Sequence, residues 1–483
     1  MTLASLLPDA TDLAAAVAAR QVSPGELLDR ALAATAKLNP ELRAVVLVQE
    51  ETARAHIAAG LPQGPFRGVP FLLKDLGCEA VDFPSHNGSR LFANTRYGKD
   101  SAIFDRIRAT GVVTFGRTTS PEGGVGPATE SAVYSGPTRN PWGLGQTPGG
   151  SSGGAGAAVA AGLVHFAHGS DGGGSVRIPA SCCGLFGFKP SRARLPDGPY
   201  VGEGWAGMAI DGFLTRSVRD TAVMLDACEG ADLGAPYAAP PLLRGHAAAI
   251  SRPPRRLRVM LCDTNFSGAP IHPDCASAVQ QTARLLESLG HHVSPGLPRA
   301  NMAGMMRAWT DIVAIGTALS IRKALKSRPL SPDLVEGVAR GACAHAETLH
   351  PTRYLEAVNE IHAFGREMAA IFDGPDAPEV ILSATLAEPP ADIGRFDHRS
   401  EDYVDYRIGP GRVFDYSPFC AVFNASGQPA ASLPFGQSTS GMPIGIHLAC
   451  RFGADEDLIA LCAELERAAP WGHRHPPLWA GTF

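Results

Sequence analysis

Residues 146–156 read Gln146, Thr147, Pro148, Gly149, Gly150, Ser151, Ser152, Gly153, Gly154, Ala155, Gly156, and an alanine-rich pattern carries on to Gly162. A flexible glycine-serine linker would not run straight into such a packable, helix-like segment, so the stretch belongs to folded structure. Three chemistries compete for it. A phosphate-binding loop needs Gly-Lys-Ser/Thr at its end, and no lysine is there. A nucleophile elbow, Gly-x-Ser-x-Gly, matches twice in overlap, around Ser151 and around Ser152. The elbow needs a strand immediately before it, however, and 143–148 is turn-like. The third reading is a serine in unusual backbone geometry beside a second serine loop.

That second loop is Gly169, Ser170, Asp171, Gly172, Gly173, Gly174, Ser175, Val176, Arg177, Ile178, Pro179, Ala180, Ser181. It follows a strand-like run at 163–167 and precedes a short helix-like piece. Successive N–H groups of Gly172, Gly173, Gly174 and Ser175 can converge on one point and stabilise charge developing on an oxygen. A tight glycine turn is the plain alternative. Of the 54 glycines, 18 fall within residues 120–190, more than twice an even share. Upstream, Lys74 closes an apolar strand at 68–74. It reads either as a snorkelling surface residue or as a buried amine whose lowered pKa fits it for general-base work. His165 and His168 lie near Ser175 in sequence, so a Ser–His pair stays open, with packing as the plainer role.

Weaker matches carry little. Ser320, Ile321, Arg322, Lys323 fits Ser-x-x-Lys but sits in plain helix without its companion motifs. His291 with His292, and His473 with His475, lack further ligands at sensible spacing, so no metal is expected.

Outward from these loops, strands alternate with helices, which favours an α/β fold with a mixed or parallel sheet covered on both faces. Ser23, Pro24, Gly25, Glu26 is a capping box, opening a helix expected to stop before Asn39 and Pro40. The proline-rich 238–254 is either a linker or a long surface loop. The 483 residues are 45% hydrophobic and 18% charged, a globular balance that excludes disorder and coiled coil. A net charge of -5 without a long basic run points away from nucleic acid and anionic membrane. Arg252, Arg255, Arg256 and Arg258 come nearest to such a run, in a proline-rich stretch. Ten cysteines without Cys-x-x-Cys, a 3–7 apolar stretch too short for a signal peptide and the absence of a membrane-length apolar run lead to a cytoplasmic expectation.

Taken together, Gly149 to Gly154, Asp171 to Ala180, Lys74 placed 77 residues before Ser151, and the 24-residue step from Ser151 to Ser175 resemble the amidase signature family. Thr138 to Trp142, Cys183 to Pro190, Phe423 to Ala430 and Gly441 to Gly445 add to the likeness, which covers nearly the whole chain. Within the family the chain looks most like bacterial cyclic-dimer hydrolases and aryl acylamidases. The resemblance implies one α/β domain over 1–483 around a large twisted mixed sheet, a catalytic core segment at 65–190 and a helical substrate-side insertion at 300–370. It implies a triad of Ser175 as nucleophile, Ser151 as proton relay behind a cis bond to Gly150, and Lys74 as base. Gly172, Gly173, Gly174 and Ser175 would form the oxyanion hole, with Ser152 and Ser170 in support and Asp171 and Arg177 as a structural ion pair. Gly123, Gly124, Tyr200, Trp205, Met305 and Trp309 are the candidate substrate-binding residues. The implied activity is hydrolysis of small neutral amides (aryl amides and oligoamides), with carbamates and esters as further substrates. The implied partners are the substrate and water. No cofactor is called for, and a homodimer is compatible with the sequence. The alternative is an amidotransferase subunit delivering ammonia within a complex. Two departures stand out: three glycines precede Ser175, and 191–211 lacks the family's glutamine-binding pattern.

Overall fold

The computed structural model describes residues 9–481, so the 3–7 apolar stretch lies outside the described residues. Eleven strands form one sheet: β1 Val45–Val48, β2 Pro70–Lys74, β3 Val113–Thr118, β4 Phe166–Asp171, β5 Phe186–Lys189, β6 Ile210–Thr215, β7 Arg258–Leu261, β8 His292–Pro295, β9 Val380–Ala384, β10 Ala430–Gln437 and β11 Pro443–Cys450. Their spatial order is β1-β3-β2-β4-β6-β5-β10-β11-β9-β7-β8. β3, β2 and β4 run parallel, as do β9, β7 and β8, and the strands between them pair antiparallel. The chain is therefore a single mixed α/β domain, as the alternation of strands and helices implies.

The period of a strand divides the core in two. Phe71 and Leu73 of β2, Phe166 of β4 and Phe213 of β6 point into one apolar cluster, beneath helices Val218–Cys228, Pro273–Ser288 and Asp455–Ala468. Leu72, Ala167 and Leu214 point the other way, against helix Gly153–Ala160. Because both faces are covered, β2 and β3 are buried along their whole length, and β2 reads as an apolar run up to Lys74, whereas β3 carries Arg117 into the interior.

Several expectations need correction. Helix Pro24–Leu42 runs through Pro40 and ends at Arg43, which takes a left-handed φ of 52°. Pro40 sits in the last turn and forgoes the bond its N–H would make to the carbonyl of Ala36, a loss confined to the helix end. The Asn39 side chain meanwhile accepts from the N–H groups of Ala44 and Val45 and steers the chain into β1. β4 starts and ends later than 163–167, so it runs up to Asp171 at the edge of the glycine loop. β5 and β6 were not foreseen. Stretch 238–254 is not a linker but part of the domain, and it includes the short helix His246–Ala249, whose His246 is buried. Arg194 holds the carbonyl of Pro240, and the N–H groups of Leu243, Arg244 and Gly245 donate to Glu456.

Candidate active site

β2 and β4 are parallel neighbours, so their C-terminal ends meet at one edge of the sheet. β2 delivers Lys74 there and β4 delivers Ser170 and Asp171. The turn before helix Gly153–Ala160 brings Ser151 to the same point. Lys74 is fully buried, with Nζ 2.7 Å from Ser151 Oγ and 2.9 Å from Ser170 Oγ. The peptide bond between Gly150 and Ser151 is cis. Gly150 has no substitute: a Cβ there would come within 2.8 Å of the backbone of Ala128. Ser152 ties the two serine loops together. Its N–H donates to Ser175 O at 3.2 Å, and its hydroxyl stands 3.2 Å from both the N–H and the carbonyl of Ser170.

The glycine loop is folded around Asp171. One carboxylate oxygen accepts from Gly174 N–H at 2.8 Å, and the other from Val176 N–H at 3.2 Å. Arg177 closes the opposite side, with Nη2 at 2.8 Å and Nε at 3.0 Å, and Asn424 Nδ2 adds a bond at 2.9 Å. Burial pushes the Asp171 carboxyl up, but the Arg177 guanidinium outweighs it and holds the group well below the ordinary carboxylate range. Gly174 takes a φ of 121°, which a side chain rarely tolerates. With its N–H committed to Asp171, Gly174 drops out of the expected set of converging donors. The N–H groups of Gly172, Gly173 and Ser175 have no protein acceptor among the described residues.

A cavity of about 290 Å³ opens onto this edge. Ser151, Ser170, Gly172 and Ser175 line it, with Gly123, Gly124 and Trp205 among the walls. Its other walls include Leu76, Ile103 and Val201 and three carboxylates, Glu79, Asp197 and Asp211, and none of its lining residues is Lys or Arg. Burial pulls the Lys74 amine down to about 7, against the opposing pull of Asp211 and Asp171. Burial likewise pushes the Asp197 carboxyl up to about 8, helped by the nearby charges of Asp211, Asp232, Glu203 and Glu79.

Three candidate substrate-binding residues lie elsewhere. Tyr200 is exposed and its hydroxyl donates to Lys99 O, so it caps a surface turn. Met305 is buried in the core. Trp309 stands behind the glycine loop, donating from Nε1 to Gly172 O at 3.1 Å, with its ring edge-on to Trp205. The 300–370 helices, Met302–Leu325, Gly337–Thr348 and Arg353–Ala370, put no residue into the cavity wall. The Ser–His pair also dissolves. Both ring nitrogens of His168 are taken, by Lys74 N–H and Asp211. His165 precedes the far end of β4, ~20 Å of strand from Asp171.

Arg117, Asn424 and the cavity carboxylates escaped sequence reasoning as site residues. Arg117, buried on β3, gathers the carbonyls of Phe83, Lys74, Gly77 and Cys78 around one guanidinium and so shapes the cavity floor. A single arginine at a strand end carries no sequence signal for that, nor does a lone acid. Asn424, inside the quoted Phe423 to Ala430 stretch, was the one in reach.

The family model described as Amidase matches residues 26–459. The chain belongs to the Amidase family. It is 36% identical, over 489 aligned residues, to the 6-aminohexanoate-cyclic-dimer hydrolase of Paenarthrobacter ureafaciens, covering 99% of this chain and 98% of that one. The solved structure of 6-aminohexanoate cyclic dimer hydrolase complexed with substrate superposes with a TM-score of 0.91 at 34% identity, covering 97% and 98% of the two chains. A bacterial aryl acylamidase of the amidase signature family gives 0.84 at 28% identity, with 96% of each chain covered. This amidase is accordingly an amide-hydrolysing enzyme. None of the helices among its described residues is long and apolar enough to cross a membrane.

Proposed function

We propose that this amidase cleaves small neutral amides, aryl amides and linear or cyclic oligoamides among them, through Ser175, Ser151 and Lys74 and an acyl-enzyme. The observation that carries the reading is the fully buried Lys74 amine within 2.9 Å of two serine hydroxyls, Ser151 and Ser170, that line the same cavity as Ser175. A neutral amine has a lone pair, so the Ser151 hydroxyl can donate to Nζ while Nζ donates to Ser170. In the first step Ser175 Oγ attacks the carbonyl carbon. Its proton passes to Ser151 Oγ, and the Ser151 proton passes to Lys74. The oxyanion meets the N–H groups of Gly172, Gly173 and Ser175, of which one or more closes on it. The C–N bond then breaks as the proton returns from Lys74 through Ser151 to the leaving nitrogen. Water enters by the same relay in reverse and frees the acid.

The cavity supports that substrate class. Its size suits a small molecule. Acidic side chains and no Lys or Arg in its lining leave nothing to pair with an anionic amide, and its apolar wall at Leu76, Ile103, Val201 and Trp205 receives alkyl chains and aryl rings. Carbamates and esters share the carbonyl and fit the same relay. The test is a panel of anilides, linear amides, cyclic oligoamides, carbamates and esters with the intact enzyme and with Ser175→Ala. Turnover of neutral amides that vanishes in the variant is expected. Substantial amidase activity in Ser175→Ala would refute the nucleophile, and selective turnover of anionic amides would refute the substrate class.

A further inference from the structure

The end of β2 is held by a side chain for which the proposed relay has no use. β2 and β4 pair as a ladder only at Leu72 and Ala167. At Lys74 the ladder has opened, and the buried N–H of Lys74 donates instead to His168 Nδ1 at 3.2 Å. A backbone N–H can only donate, so Nδ1 carries the lone pair and the ring proton rides on Nε2. That nitrogen stands 3.0 Å from Asp211 Oδ1 and donates to it. Asp211 lies opposite Ser170 in the β4–β6 register, and it faces the cavity shared by Ser151 and Ser175.

We infer that Asp211, acting through His168, is a positioning residue for Lys74: the pair fixes the end of β2 so that the amine enters between the Ser151 and Ser170 hydroxyls, with the carboxylate facing the same cavity. The inference rests on Lys74 serving as the base.

The charges around Lys74 single out Asp211. β3 contributes Arg117, spent on backbone carbonyls including that of Lys74 itself. β4 contributes Asp171, neutralised by Arg177 in a buried ion pair. Glu79 and Asp197 stand in the cavity wall. Asp211 alone is joined to the Lys74 backbone through a shared imidazole, and no Lys or Arg pairs with it among the described residues. Of the two carboxylates that oppose burial at Lys74, it is the stronger.

The experiment is the pH profile of kcat/KM on a small anilide for the wild type, Asp211→Asn, Asp211→Glu, His168→Asn and Lys74→Met, with a thermal melt of each. Removing the charge makes Lys74 easier to deprotonate, so the acid limb should move about one pH unit lower in Asp211→Asn. Asp211→Glu keeps the charge and should leave the limb in place. His168→Asn offers an acceptor to Lys74 N–H but cuts the link to Asp211, and kcat should fall about tenfold or more with KM unchanged. An unmoved limb in a folded Asp211→Asn, a limb that moves as far in Asp211→Glu, or a wild-type kcat in His168→Asn would overturn the inference while leaving Lys74 as base. A limb that survives in Lys74→Met would instead overturn the reading of Lys74 on which the inference stands.

Discussion

Two lysines in this amidase end strands in almost the same way. Lys74 closes β2 and Lys189 closes β5, both are buried, and burial pulls both amines down to about 7. Asp171 pulls against burial at each of them. What differs is the partner. Lys189 Nζ donates to the carbonyl of Pro190 at 2.8 Å, and a carbonyl has no proton to give back. Lys74 meets two hydroxyls, which both donate and accept, on serines that line the cavity. A lowered pKa makes an amine available; a neighbouring exchangeable proton gives it something to do.

The contrast can be broken or sharpened by experiment, beginning with activity. Lys74→Met should lose ~10³-fold or more in kcat/KM for an anilide, whereas Lys189→Met should stay within about threefold. Equal losses in the two variants would erase the distinction. Next comes the carboxylate that both lysines feel. Asp171→Asn strands a buried guanidinium, and chemical denaturation should show ~3–5 kcal/mol of lost stability. A loss below ~1 kcal/mol would mean that the neighbouring Asn424 and carbonyls satisfy Arg177 unaided.

The acid limb of kcat/KM should lie at about 7, the value to which burial brings Lys74, with activity falling tenfold per pH unit below it. Stability should follow a different rule. Both amines are depressed in the folded chain from the ordinary 10.5, so between about 7 and 10.5 the unfolded chain binds more protons. Stability therefore rises with pH across that window. Melting temperatures measured over the window should show each Met variant removing a share of the slope, alike for the two lysines although their activities differ. The smallest effect belongs to Tyr200→Phe, exposed and outside the cavity lining, which should change stability by ~0.5 kcal/mol or less and leave KM alone. A raised KM there would bring Tyr200 back to the substrate.

How much of this could be read from the sequence depended on what held each part together. Of the residues that meet at the sheet edge, Ser151 and Ser175 were legible because they sit in short, chemically distinctive runs, whereas Lys74, ambiguous by itself, became legible only through the family resemblance. The fold class was legible from strands and helices in alternation. β5 and β6 were not, since Phe186–Lys189 has only four residues and Ile210–Thr215 carries Asp211 and Gly212 where a buried strand usually shows branched apolar side chains. Their place is set by pairing with β4 and β10, partners far off in sequence. The same holds for the cavity. Tyr200, Met305 and Trp309 looked suitable as aromatic or flexible apolar residues, but composition does not say which way a side chain points. Glu79, Asp197 and Asp211 are ordinary acids until the chain brings them to one wall.

Trp309 and its helix have a consequence for how such an enzyme diversifies. Beyond the serine loops, the cavity wall is drawn from 76–87, 103, 123–124 and 197–211, while Trp309 of the 300–370 helices braces the glycine loop from behind. Recognition and support are thus encoded by separate stretches of the gene. Selection, or an engineer, can rewrite 197–204 for a new amide while leaving in place Trp205, which packs on Trp309, and Asp211, which holds His168. A change at Trp309 would reach every substrate alike.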